Sequence, residues 1–217
     1  MRDMHNTLTF LALFLNVFSS SAQRATTDSY DDTSWLLLVD RRWKINWEFF
    51  LGELNHIKNI KANYKIPILC KDFFIDTYQV ALAKSFGADC ILIILSAIDK
   101  KLAEDMYQAA NDLNISTLIE VHSENEAEIA LSFEDSLIGI NNRNLKTLEI
   151  SLNTSVKLSR ILNSHKNPLV CESGINSAEN IKFIVENTEI YNFLIGESLL
   201  KNEDIGSKLK EFSQIRL

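Results

Sequence analysis

The chain has 217 residues, 46% of them hydrophobic and 24% charged, enough for one domain with a sizeable core. Its net charge of -7 excludes the broad basic face that non-specific nucleic-acid binding needs, though not a local site for a small anion. An odd set of three cysteines (Cys70, Cys90, Cys171), each within an apolar run, excludes a disulfide framework, and without CxxC or HExxH a zinc centre is not expected.

Residues 8–18, LTFLALFLNVF, contain nine apolar positions out of eleven, after Arg2 and before SSSAQ. A basic start, a short apolar stretch and small residues before Gln23 predict a signal or targeting peptide over 1–22, cleaved after Ala22. Eleven residues are too few to span a bilayer. The alternative is a buried strand or helix of the fold. Residues 23–34, QRATTDSYDDTS, read as a linker, and the folded domain is expected over 35–217.

From Trp35 the pattern alternates. WLLLVD (35–40) is a continuous apolar strand, and the spacing of Trp47, Phe50, Leu51, Leu54, Ile57 and Ile60 is helical over 46–63. Strand 66–70 and helix 76–86 follow, then strand 90–95 and helix 100–113. Next come strand 117–121, helix 123–132, strand 137–140 and helix 152–163. Strand 168–171, a helix capped by Asn176 or Ser177 and running to Asn187, strand 191–195 and helix 198–212 complete the series. Pro67 and Pro168 stand at strand starts, where a missing N–H costs least. Seven strand–helix units in strict alternation predict a parallel sheet with right-handed crossovers. Polar residues at the strand ends, without a glycine-rich loop after the first strand, favour an α/β fold of the (β/α)8 TIM-barrel type over an open sheet. Its first strand–helix unit would then be missing or atypical. Seven strands alone would leave two edges with unpaired backbone.

Those strand ends carry the chemistry. IPILCKDFFID, LIEVHSENE, IGINNRNLKTLEI, VCESGI and FLIGESLL, in this order and spacing, resemble the indole-3-glycerol-phosphate synthase family of tryptophan biosynthesis, over roughly residues 35–212. The resemblance implies a carboxy-lyase that closes the ring of 1-(2-carboxyphenylamino)-1-deoxyribulose 5-phosphate, with loss of carbon dioxide and water. It implies no cofactor and no metal. It also implies a phosphorylated small-molecule substrate, no nucleic-acid or membrane partner for the mature chain, and association with other enzymes of the pathway as an open possibility. By the same resemblance Lys71 is the general acid and Glu120 the general base. Phe73 packs on the anthranilate ring, with a plain core position as its alternative. Asn141 and Arg143 contact the substrate carboxylate and hydroxyls, and Glu172 positions substrate. Ser173, Gly174, Gly196 and Glu197 form the phosphate pocket, the last by its backbone N–H with its side chain turned away. Burial among apolar side chains is expected to raise the Glu120 carboxyl toward working pH. Asn142 and Asn144 read as loop residues, and His122 has no assigned role.

The chain departs from the family at its front. The family's first strand carries EIK, with a principal catalytic lysine, and then a phosphate-binding SPS-type loop. Counting back from WLLLVD lands inside the apolar run, where LFLNVFSSS is an accidental echo. DRRWKINWEFF also differs from the family's second-strand loop, with Arg41, Arg42 and Trp43 where acidic and aromatic residues are usual. A catalytically impaired, phosphate-ligand-binding barrel is therefore the alternative to an active synthase. The N-terminus leaves a secretory route or a plastid-like organelle open as the destination.

Overall fold

The computed structural model describes residues 9–11, 37–41, 54–202 and 204–213. Its centre is a parallel sheet of eight strands: β1 (Thr9–Leu11), β2 (Leu37–Arg41), β3 (Ile68–Asp72), β4 (Cys90–Ile94), β5 (Ser116–Val121), β6 (Leu137–Asn141), β7 (Leu169–Glu172) and β8 (Asn192–Leu194). The spatial order is β1-β8-β7-β6-β5-β4-β3-β2, and each neighbouring pair of strands is parallel. From β3 onward each strand returns through a helix: α1 (Leu54–Asn63) before β3, then α2 (Thr77–Ser85), α3 (Lys100–Asp112), α4 (Glu124–Ala130), α5 (Asn153–Ile161) and α6 (Ala178–Asn187). After β8 come α7 (Glu197–Leu200) and α8 (Ile205–Ser213).

Two expectations about the front half meet the structure unevenly. Thr9–Leu11, inside the apolar run read as a targeting segment, forms a strand whose Phe10 pairs with Phe193 of β8. The remainder of that segment, the 23–34 linker, Trp35, Arg42, Trp43 and the start of the helix expected from residue 46 lie outside the described residues. At the other end, the single helix expected over 198–212 is two helices. Asp204 starts the second by accepting the Ser207 N–H at 3.0 Å and the Ser207 hydroxyl at 2.6 Å. A short acidic side chain that satisfies first-turn N–H groups is a helix start, and it competes with a continuous helix through that point.

Other helix starts follow the same logic. Asp76 caps α2 in a reciprocal box with Gln79, Asp99 accepts from Leu102 N at the start of α3, and Ser123 accepts from Glu126 N at the start of α4. Past Phe86, the C-cap of α2, the chain turns away at Gly87, whose φ of +96° is the left-handed conformation in which glycine is unstrained.

The sheet has two apolar faces, sorted by the two-residue period of each strand. Ile68, Cys70, Ile91, Ile93, Ile119, Val121, Ile138, Ile140, Cys171 and Phe193 point to the helix layer and pack with Ile57, Val80, Met106, Leu158 and Ile184. Leu69, Cys90, Leu92, Ile94, Leu118, Val170 and Leu194 form a second cluster on the opposite, inner face, with Leu137 against it. All three cysteines are buried and unbridged, and burial pushes the Cys171 thiol up to about 11.

Candidate active site

The inner-face parity explains which polar side chains meet. Lys71 keeps step with Leu69, Glu120 with Leu118, Asn141 with Leu137 and Gly139, and Glu172 with Val170, each at the C-terminal end of its strand. Register brings these ends level: Glu120 lies opposite Gly139, and Asn141 opposite Glu172. Lys71 Nζ stands 3.1 Å from Glu120 Oε2 and 3.8 Å from Glu172 Oε2. Asn141 Nδ2 donates to Glu120 Oε1 at 3.0 Å. Glu120 and Glu172 are each 1% exposed, so these charges sit in a dry floor instead of on a solvated rim.

Glycine makes room for this arrangement. A Cβ placed on Gly139 would lie 2.0 Å from Glu172 Oε1 and 3.0 Å from its Cδ. The Glu172 carboxyl therefore occupies the space that any other residue would fill on the neighbouring strand.

The two buried glutamates titrate in opposite directions. For Glu120, burial favours the neutral acid, but Lys71, His122 and the Asn141 amide together outweigh it and hold the carboxyl far below its usual range. The expected upward shift of Glu120 is thus overturned: the sequence shows an acid in an apolar run, not the cation and the amide donor that two other strands bring to it, nor the histidine two residues on. Glu172 is the group that is raised. Burial first, then the negative charge of Glu120, push it to about 8 against only partial relief from Lys71. The same lysine cannot neutralise both carboxylates, and the nearer one takes it. Glu172 Oε1 is buried and has no hydrogen-bond partner among the described residues.

The loops above carry the remaining expected residues. Phe73 is 39% exposed while Phe74 is 3% exposed, so Phe74 takes the core position and Phe73 is left exposed just past the C-terminal end of β3. Asn141 Oδ1 accepts the Arg143 N–H at 3.0 Å, which folds the β6–α5 loop back over its strand. The Arg143 guanidinium, half-exposed, pairs with Glu197 of α7, and Glu197 also pairs with Lys201. Its carboxylate is therefore turned toward two cations. Ser173 and Gly174 adopt φ of +63° and +83°. Ser198 Oγ donates to Ile175 O at 2.7 Å, tying the loop after β7 to the start of α7, where Gly196 is the capping position.

Asn142 does more than a loop residue would. Its side chain is buried, with Nδ2 donating to Glu172 O at 3.0 Å and Ser173 O at 3.1 Å, while Oδ1 accepts the Ser155 N–H at 3.0 Å and hydroxyl at 2.9 Å. It pins the end of β7, and so the positive φ of Ser173, to the start of α5. The one sequence signal was its place directly after the strand.

Solved structures of similar fold include 3-hexulose-6-phosphate synthase from Salmonella typhimurium (TM-score 0.67, 13% identity, covering 82% of this chain and 84% of that one). Another is N-(5'-phosphoribosyl)anthranilate isomerase from Pyrococcus furiosus (TM-score 0.59, 16% identity, covering 84% and 87%). At such identities the likeness concerns the fold alone, a parallel α/β architecture of the TIM-barrel kind. Sequence relatives are nearer. Indole-3-glycerol phosphate synthases of Endomicrobium trichonymphae and Delftia acidovorans are 39% and 36% identical over 163 and 162 residues. Both alignments cover 75% of this chain, and they take in 62% and 60% of those proteins. The chain thus spans about three-fifths of the length of the curated relatives it matches. The family model for indole-3-glycerol phosphate synthase matches residues 45–212, and the chain belongs to that family.

Proposed function

We propose that the chain is an indole-3-glycerol-phosphate synthase, closing the ring of 1-(2-carboxyphenylamino)-1-deoxyribulose 5-phosphate at the C-terminal mouth of a (β/α)8 barrel completed between β1 and β2. The observation that carries this reading is the contact of Lys71 with Glu120 on an inner strand face, with Asn141 and Glu172 beside them. Lys71 donates a proton to the ribulose carbonyl oxygen as the ring carbon bearing the carboxylate attacks. The new carbon–carbon bond forms and the aromatic carboxylate leaves as carbon dioxide. Lys71, recharged from solvent, then protonates the hydroxyl so formed, the carbon–oxygen bond breaks and water leaves, while Glu120 accepts the proton that the new ring loses as the indole double bond forms. The order matters: while Lys71 is charged it keeps Glu120 a weak base, and once Lys71 has given up its proton that restraint is gone and Glu120 becomes basic. Glu172, protonated through neutral pH, donates a hydrogen bond to a substrate oxygen and positions it.

Arg143 suits the planar substrate carboxylate, which would compete with Glu197 for its fork. Phe73 at the mouth offers a face to the anthranilate ring. Ser173, Gly174, Gly196 and Glu197 offer backbone N–H groups to the phosphate, as the loops after the last two strands do in such barrels. Turnover of the carboxyphenylamino substrate by the purified chain tests the reading. Formation of indoleglycerol phosphate, lost on Lys71→Met, supports it, and no product at high enzyme concentration refutes it.

One observation favours the second reading, a barrel that binds the phosphorylated ligand without efficient turnover. β1 reads Thr9-Phe10-Leu11 and brings no lysine or glutamate, where the family pattern has EIK. Calorimetry with a reduced substrate analogue separates the two, since tight binding without product selects the second.

A further inference from the structure

Two residues beyond Glu120 the chain carries His122, a histidine with no part in the chemistry above. It continues the inner-face parity of Leu118 and Glu120 past the end of β5, and its side chain is 11% exposed. Nε2 stands 3.2 Å from Glu120 Oε1. This is a charge contact, out of line for a hydrogen bond. On the other side of the ring Nδ1 stands 3.3 Å from Glu126 Oε2, and Ser96 Oγ, from the loop after β4, is 3.3 Å from the same nitrogen.

Glu126 is held there by the start of α4. Its Oε2 accepts the His122 N–H at 2.8 Å and its Oε1 accepts the Ser123 hydroxyl at 2.9 Å. Ser-x-x-Glu is the sequence of a capping box. Here the reciprocal bond is displaced by one residue: Ser123 Oγ accepts the Glu126 N–H at 3.3 Å, but the Glu126 carboxylate takes the N–H of His122 and not that of Ser123, which delivers it to the far edge of the imidazole. Both ring nitrogens therefore face a carboxylate oxygen. A neutral imidazole has one N–H and would leave a lone pair beside one of the two anions, whereas an imidazolium presents positive charge to both, as a donor to Glu126 and as a charge contact to Glu120. The other charged groups around Glu120 are Lys71 from β3 and Glu172 from β7, and Asn141 from β6 reaches the same Oε1 that His122 faces.

We propose that His122 is a positioning residue: as the imidazolium bridging Glu126 and Glu120, it fixes Glu120 Oε1 so that Oε2 is presented to Lys71 and to substrate. The base role of Glu120 rests on the synthase reading above, but the bridge itself does not. Burial disfavours the charged ring, and the contacts with Glu120 and Glu126 more than offset this, raising its titration to about 9. Without the bridge, Glu120 would keep only Lys71 and Asn141, and Lys71 also attracts Glu172.

The test follows the ring nitrogens of 15N-histidine-labelled full-length protein by NMR from pH 5 to 10, with the His122 signals assigned by their absence in His122→Asn. Both nitrogens are expected to be protonated at pH 7.5, with a midpoint at least one pH unit above that of a free histidine. Glu126→Gln, nearly isosteric, should lower that midpoint by one pH unit or more. A ring neutral at pH 7, or a midpoint unmoved in Glu126→Gln, overturns the proposal whatever the turnover. In steady-state assays Glu126→Gln should move the acid limb of kcat upward in pH with KM within twofold, and imidazole should partly rescue His122→Ala. An unmoved limb overturns the positioning role. A doubly protonated ring that responds to Glu126→Gln in a protein that makes no product leaves the bridge standing and removes the synthase reading.

Discussion

Replacing Glu172 by glutamine should flatten the pH dependence of stability over the range where enzymes are usually assayed. The group's carboxyl is raised from 4.5 to about 8 in the folded chain. Between those limits the native state holds a proton that the unfolded chain has released. The unfolded state therefore binds fewer protons, and stability falls as pH rises. The slope is about 1.4 kcal/mol per pH unit, and the full span comes to at most about 5 kcal/mol of stability present below pH 4.5 and gone above pH 8. Glutamine keeps the shape, cannot ionise, and its amide N–H can stand in for the carboxyl O–H toward Glu120. Near pH 5 the two proteins should unfold within about 1 kcal/mol of each other, whereas at pH 8.5 Glu172→Gln should be the more stable by several kcal/mol. His122 also loses stabilisation as pH rises toward 9, so the reading is the difference between the two proteins at each pH, from urea unfolding at pH 5, 6, 7, 8 and 8.5. Parallel curves would refute the buried, proton-bearing carboxyl and with it the charge distribution of the site.

Lys71→Met should reduce kcat by roughly 10²–10⁴, the usual worth of a positioned proton donor, and should move Glu120 upward, seen as an acid limb displaced to higher pH in whatever activity remains. Gly139→Ala should drive its new methyl into Glu172 Oε1, at 2.0 Å. A cost of about 1–3 kcal/mol in urea unfolding is expected, with part regained when Glu172→Ala is added; a fully additive double mutant would contradict the contact. Asn142→Ala should cost about 2–4 kcal/mol, because two carbonyls and the Ser155 N–H lose their buried partner, and Asn142→Asp should not restore it, since a carboxylate cannot donate to Glu172 O. Thermal unfolding of both variants checks this.

Much of the architecture was legible because each strand is a short apolar run bounded by capping residues. IPILCKD shows how far that reading goes. The apolar stretch predicts 66–70, while the strand is Ile68–Asp72, since backbone pairing continues through Lys71 and Asp72 where hydrophobicity has ended. The strand at Thr9–Leu11 was illegible for the opposite reason: its apolar neighbourhood suits a targeting segment equally well. At the site, strand-end position identified Lys71, Glu120, Asn141 and Glu172, and their convergence followed from shared parity. What one-dimensional reading could not supply was charge balance. Glu120 is held ionised by groups 49 and 21 residues away, Lys71 and Asn141, so its burial alone gave the wrong direction. His122 could have been found by a simpler signal, the i, i+2 spacing from Glu120 that puts both on one strand face, joined to the Ser-x-x-Glu that follows.

Cys70 and Cys171 precede Lys71 and Glu172 by one residue, on the face turned away from the mouth and covered by helices. They are built-in clocks for those two strands. A thiol reagent can reach them only when helices lift from the sheet, so their labelling rates give the free energy of that local opening. Occupation of the mouth by a ligand should slow both together, because the strands that grip it are the ones whose backs the thiols guard.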